Sequence, residues 1–192
     1  MTDSSAAGAG LPGLRSPSVG FEAPFEMLSA CHERVERMLD LLARLRDHVA
    51  QNGCDAQAAT AATDVMRYFD LAAPQHHLDE ELHVFPAVLA LHDGRLSLMV
   101  TRLQQDHRDM EKHWVAVRQA LARVAHVDAH GGTAFSEADK ANMDAFVAIY
   151  KDHILAEEEL VYPAARRTLD ARQLAAMSQD MVRRRGGHPT GT

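Results

Sequence analysis

The sequence is short of sulfur, of aromatic rings and of excess positive charge. Its 192 residues include two cysteines, Cys31 and Cys54, with no Cys-x-x-Cys. That excludes a disulfide framework and a thiolate zinc site. Aromatic residues make up 5% of the chain, too few for a β-sandwich, whose strands draw on aromatic and β-branched side chains. Glycine and proline are sparse outside the ends. No apolar run reaches the ~18 residues a membrane span needs. No basic segment followed by an apolar stretch opens the chain, so the sequence reads as cytoplasmic with no membrane partner. A net charge of −7 without a basic stripe argues against nucleic acid or an anionic lipid surface as a ligand.

What is present is helical periodicity. Residues 1–20, rich in Ser, Gly, Ala and Pro, read as a disordered tail, and 184–192 as a second one. Between them, 21–183 form one domain. A first helix is expected from about Pro24 to Ala50, with Phe25, Leu28, Val35, Leu39 and Leu42 at steps of three and four. A second runs from about Asp55 to Leu91 with Val65, Phe69 and Ala72 inward. Pro74 and Pro86 are each expected to kink it or end it early. A third runs from about Leu96 to Val127 on a stripe that includes Val100, Leu103, Met110, Trp114, Val117, Leu121 and Val124. Gly131-Gly132 breaks the chain. Ser136 and Asp139 then resemble an N-capping pair. The fourth helix runs to about Arg167, with Met143, Phe146, Tyr150 and Leu160 inward. A short fifth helix, about Asp170 to Arg183, packs outside. Short turns between long helices predict an all-α, antiparallel up-down-up-down four-helix bundle.

Each apolar stripe runs into a histidine. Of twelve histidines in the chain, His32, His76, His107 and His153 each fall where the core face of one bundle helix continues. Glu80 and Glu157 follow two of them by four residues, about 40° around a helix, so each His–Glu pair shares a face. Buried without partners, these groups would cost ~1–3 kcal/mol each. A metal centre satisfies them together, because neutral imidazole offers a lone pair and a carboxylate can bridge two cations. The thiolate-free set fits two iron ions, with manganese or zinc as substitutes.

An internal repeat reinforces the pattern. His76 to Pro86 reads HHLDEELHVFP and His153 to Pro163 reads HILAEEELVYP. In both, Glu follows the His by four and an aromatic precedes the Pro. Phe69 and Phe146 each lie seven before their His. His32 and His107 precede their partners by similar distances, so two helix pairs look like duplicated halves about a pseudo-twofold axis. His77 with Glu81 has the same spacing as His76 with Glu80. The repeat and the stripe favour His76, leaving His77 and Glu81 to support the ligands. Beyond Glu157, the run Glu158-Glu159 reads as a solvated face.

These two His-x-x-x-Glu-Glu segments, with single histidines on the other two helices, resemble the hemerythrin-like (HHE cation-binding) family over about residues 24–167. The resemblance implies a non-haem di-iron centre. His32 and His76 would serve one iron, His107 and His153 the other, and Glu80 and Glu157 would bridge them. It also implies a small diatomic ligand, oxygen or nitric oxide, and a role in binding or sensing oxygen, nitric oxide or iron, as a monomer or homodimer. Oxygen-carrying members place two histidines four apart on the third helix. Here Glu111 follows His107 by four, which argues against dedicated oxygen storage. The alternative class is a di-iron oxidoreductase of ferroxidase or peroxidase type, or an iron-donating stress-repair protein. The ferritin-like version uses Glu-x-x-His on two helices, and only Glu80-x-x-His83 fits it. A phosphate-relaying bundle would need one exposed histidine and would not explain four buried ones.

Overall fold

The computed structural model describes residues 22–126 and 134–186. The expected N-terminal tail, the Gly131-Gly132 break and most of the expected C-terminal tail lie outside them. Among the described residues every regular element is helical, and no helix is long and apolar enough to cross a membrane. Helix α1 spans Pro24–Asn52, α2 Ala56–Asp79, α3 Phe85–Leu89 and α4 Gly94–Ala125. Helix α5 spans Glu137–Ala156, α6 Tyr162–Arg166 and α7 Ala171–Arg184. Four long rods follow one another round the bundle: α1 packs on α2, α2 on α4, α4 on α5, and α5 returns to α1.

Local chemistry sets the ends. Asp55 caps α2 by accepting from the amide of Ala58, and Asp93 caps α4 from Arg95 and Leu96. Ser136 and Asp139 form a reciprocal capping box on α5, as their spacing predicts. Gly53 ends α1 at φ 78°, a left-handed conformation that glycine adopts without a Cβ penalty.

Just ahead of Pro86 and Pro163 each half of the repeat contains one π-helical turn, Glu80–Val84 and Glu157–Val161. A proline cannot donate to the carbonyl four residues back, and its ring crowds that carbonyl. The turn widens, and the amides of Phe85 and Tyr162 reach back five residues to the carbonyls of Glu80 and Glu157. The extra residue shifts the phase of everything after it. Leu160, expected inward, is therefore 46% exposed, and Val161 takes the core position. Pro74, by contrast, sits inside an unbroken α2. Near it, Ala73 rather than Ala72 is the buried alanine.

Two apolar clusters result. One fills the end bounded by the α1–α2 and α4–α5 connections, with Leu42, Val65, Phe69, Leu121 and Phe146. The other holds Phe25, Leu28, Phe85, Leu103 and Tyr162, and is covered by Met177 and Met181 of α7. His32, His76 and His107 fall between them in sequence, and His153 lies at the junction, with Ile154 in the first cluster and Ala156 in the second, so a polar layer separates two oily ones.

Helix α7 is locked to that layer. Asp79, 0% exposed, accepts from Arg184 and, at 2.6 Å, from Arg185. These two arginines, assigned to a tail by composition, are thus tied into the fold. Replacing Asp79 by Ala would leave two half-buried guanidinium groups without this partner. We expect Asp79→Ala to cost about 3 kcal/mol, the usual scale for breaking a buried ion pair. Urea unfolding should show it, and a loss below about 1 kcal/mol would mean the clamp is only a surface pair.

Candidate metal centre

All six side chains singled out by periodicity meet in the polar layer. His32 and His76 come from α1 and α2, His107 and His153 from α4 and α5, and Glu80 and Glu157 from the first residues of the two π turns. All are at most 4% exposed, and both glutamates are 0%. Their ligand atoms form two groups. One is His32, His76, Glu80 and Glu157; the other is Glu80, His107, His153 and Glu157. Within each group these atoms lie within 4.8 Å of one another, and the two carboxylates belong to both.

The distances reveal what the groups face. His76 Nε2 is 3.2 Å from Glu80 Oε1, and His153 Nε2 is 3.1 Å from Glu157 Oε1. Across the halves, His32 Nε2 is 3.1 Å from Glu157 Oε2 and His107 Nε2 is 3.4 Å from Glu80 Oε2. His107 and His153 bring their Nε2 atoms to 3.1 Å of each other. The four imidazole–carboxylate approaches are ion-pair distances without a hydrogen bond between the partners. Glu80 Oε2 and both oxygens of Glu157 have no hydrogen-bond partner. Buried carboxylate oxygens left so are costly. Ligands about 2.1 Å from one cation sit roughly 3 Å apart when adjacent and 4 Å when opposite. The donor set therefore fits a pair of cations sharing two carboxylates.

Outer carboxylates hold two of the imidazoles by their other nitrogens. Nδ1 of His32 donates to Glu158 at 2.7 Å, and Nδ1 of His107 donates to Glu81 at 3.0 Å. The second glutamate of each repeat thus orients the histidine of the opposite half, which fixes the tautomer that turns Nε2 inward. Asp106 Oδ2 stands 3.5 Å from Nδ1 of His153. Glu158 was expected in solvent. The signal that could have found it was its match to Glu81 in the repeat. His77 offers the centre no ligand atom; it lies flat on His107 with ring centroids 4.1 Å apart, and Tyr150 approaches its Nε2 at 3.5 Å. Glu111 is exposed and stands outside both groups. Tyr162 was not singled out by the sequence, yet its hydroxyl donates to Glu80 Oε1 and lies 3.3 Å from His32 Nε2.

Charge is distributed unevenly. Burial opposes the cationic form of His32, but Glu157 and Glu158 overcome it and lift its pKa to about 9. Burial opposes His153 too, yet Glu157 and Asp106 raise it to about 10. Burial also works against ionised Glu157, but His153 and His32 hold its pKa well below the usual value. Burial and the charge on Glu157 push Glu80 the other way. His76 is driven well down by burial and by the neighbouring His32.

A narrow cleft of ≈ 40 Å³ lies between α2, α4 and α5, lined by residues including Phe69, His77, Glu111, Trp114 and Tyr150; it meets the stack of His77 on His107 but none of the six candidate ligands directly. A larger groove of ≈ 390 Å³ between α1 and α2, with Leu41, Arg44, His48 and Gln57, touches none of the six candidate ligands.

The Hemerythrin HHE cation binding domain matches residues 23–165 of the chain. An uncharacterized protein of Haemophilus influenzae is 30% identical over 162 residues, covering 84% of this chain and 90% of the relative.

Proposed function

We propose that this chain, which belongs to the hemerythrin HHE cation-binding family, holds two non-haem iron ions and binds or senses a small diatomic molecule, oxygen or nitric oxide. His32 and His76 would hold one ion, His107 and His153 the other, and Glu80 and Glu157 would bridge them. The observation that carries this reading is the pair of buried ligand groups sharing two carboxylates. Two imidazoles and two shared carboxylates per ion leave positions free on a metal that prefers six ligands. That favours iron or manganese over zinc, which four ligands would close. Such a pair, when bound, supplies reversible one-electron chemistry and open positions for a diatomic gas.

The chain's own residues decide what can arrive. The cleft beside His77 has room for one or two water-sized molecules, which supports a diatomic ligand over a metabolite. Trp114 forms part of its wall and is held by Asp70, which accepts from the indole N–H at 3.0 Å. Glu111 lies at its exposed side, so the third helix contributes one histidine to the centre. This supports sensing or handling over storage. The ferritin-like alternative is weakened further, because His83 turns away to Asp180 of α7 at 3.0 Å.

Protein made in iron-replete cells should contain close to two metal ions per chain, mainly iron, with an optical spectrum that changes when the reduced form meets air. His76→Ala and His153→Ala should each lose at least one ion, while His77→Ala keeps most of its metal. One ion or none after careful reconstitution would count against a two-metal centre. Metal retained by His76→Ala but lost by His77→Ala would put the ligand register one residue out.

A further inference from the structure

The duplicated halves differ at two points around the centre, and both differences act in the same direction. Asp106 precedes His107 and faces Nδ1 of His153 at 3.5 Å. The matching residue before His32 is Cys31, which cannot play that part; its thiol contacts Met27 instead, at 3.8 Å. Among the described residues neither Nδ1 of His76 nor Nδ1 of His153 makes a hydrogen bond, but only His153 has a carboxylate, that of Asp106, facing its Nδ1. The second difference is Tyr162, whose counterpart in the repeat is Phe85. Both rings stack on the histidine of the opposite half: Tyr162 on His32 with centroids 5.4 Å apart, Phe85 on His107 at 5.6 Å. Only Tyr162 carries a hydroxyl, and it reaches the ligand atoms Glu80 Oε1 and His32 Nε2.

We propose that the two metal positions are unequal, that the His32/His76 position is the labile one, and that Tyr162 is the residue that makes it so. The inference rests on the two-metal reading above. Carboxylates behind ligating histidines raise their basicity and fix their rings. His107 is hydrogen-bonded to Glu81 and His153 has the Asp106 carboxylate 3.5 Å from its Nδ1, whereas at the other position His32 is hydrogen-bonded to Glu158 and His76 has no carboxylate at its Nδ1. The phenol acts in the same direction. It competes with a cation for a lone pair of Glu80 Oε1, and satisfies that oxygen when the cation leaves. Departure from that side therefore exposes fewer orphaned buried acceptors, the main cost of emptying such a site. At the His107/His153 position Phe85 offers no such substitute.

Calorimetric titration of the apo-protein with Co(II) should resolve two steps at least tenfold apart in affinity. Tyr162→Phe copies the residue native to the other half. It should tighten the weaker step about fivefold or more and leave the stronger one within twofold. Asp106→Asn should weaken the stronger step and so narrow the gap from the other direction. Circular dichroism of each variant checks that the helices persist. Two indistinguishable steps in the unmodified protein would overturn the inequality while leaving the two-metal reading intact. A Tyr162→Phe protein that keeps the same separation, whatever its thermal stability, would overturn the role of Tyr162. Binding of fewer than two Co(II) ions by the unmodified protein would overturn both readings together.

Discussion

Removing bound metal is expected to lower the midpoint of thermal unfolding by roughly 15 °C or more, the largest stability change anticipated for this protein. A ligand that binds only the folded state stabilises it by about 4 kcal/mol when present at 1,000 times its dissociation constant. Two such ions give about 8 kcal/mol. For a domain of this size each kcal/mol moves the midpoint by about 2–4 °C. The physical origin is the polar layer. Four imidazoles and two carboxylates interrupt what would otherwise be one continuous apolar core, and three of the four carboxylate oxygens have no hydrogen-bond partner. The apolar clusters on either side should keep the helices formed after chelation. Calorimetric scans of chelated and reloaded protein provide the measurement. A difference under about 3 °C would show that the layer is satisfied within the protein and that its carboxylates need no cation.

Helix number, order and orientation were legible because the apolar period and the caps agree. Val35, Leu39 and Leu42 on α1, and Val117, Leu121 and Val124 on α4, are all buried where steps of three and four put them. The six inward polar residues were legible by the same arithmetic, since each occupies a position that periodicity reserves for a leucine. What was not legible follows from the π turns. A period of 3.6 cannot foresee an inserted residue, so the inward position passed from Leu160 to Val161. The same wide turn alters the angle between a glutamate and the aromatic five residues on. In an unbroken α-helix Glu157 and Tyr162 would lie about 140° apart, which hides the tyrosine from any reading of the core face. Glu158 was missed for another reason. Its partner His32 is 126 residues away, and only its match to Glu81 in the repeat, not any periodicity of its own helix, marks it as the carboxylate that reaches the back of a distant imidazole. Arg184 and Arg185 look like a basic tail until buried Asp79 is placed against them.

Metal uptake is expected to expel at least two protons per pair of ions at pH 7 and to tighten steeply as pH rises. In the metal-free protein His32 and His153 have pKa values of about 9 and about 10, because Glu157, Glu158 and Asp106 together outweigh the cost of burying a cation. Both are therefore protonated at neutral pH, and a cation can take their Nε2 lone pairs only by displacing those protons. His76 adds none, since burial already keeps it neutral, and Glu157 adds none, since its carboxyl is ionised far below neutrality. The raised pKa values also fix the sign of the metal-free protein's own pH dependence. Unfolded imidazole titrates near 6.5, so the stabilisation from these two histidines is complete below about pH 6.5 and is lost as pH climbs through 9 to 10. The metal-loaded protein has no such protons to lose, so the gap in stability between loaded and stripped forms should widen with pH. Two displaced protons correspond to about a 100-fold gain in overall affinity for the ion pair per pH unit. Addition of Co(II) to weakly buffered apo-protein at pH 7, with an indicator dye, reads the release directly, and titrations between pH 6.5 and 8 read the slope. Release of fewer than one proton per pair of ions, or an affinity that stays flat over that range, would mean that the Nε2 atoms of His32 and His153 are not where the cations bind.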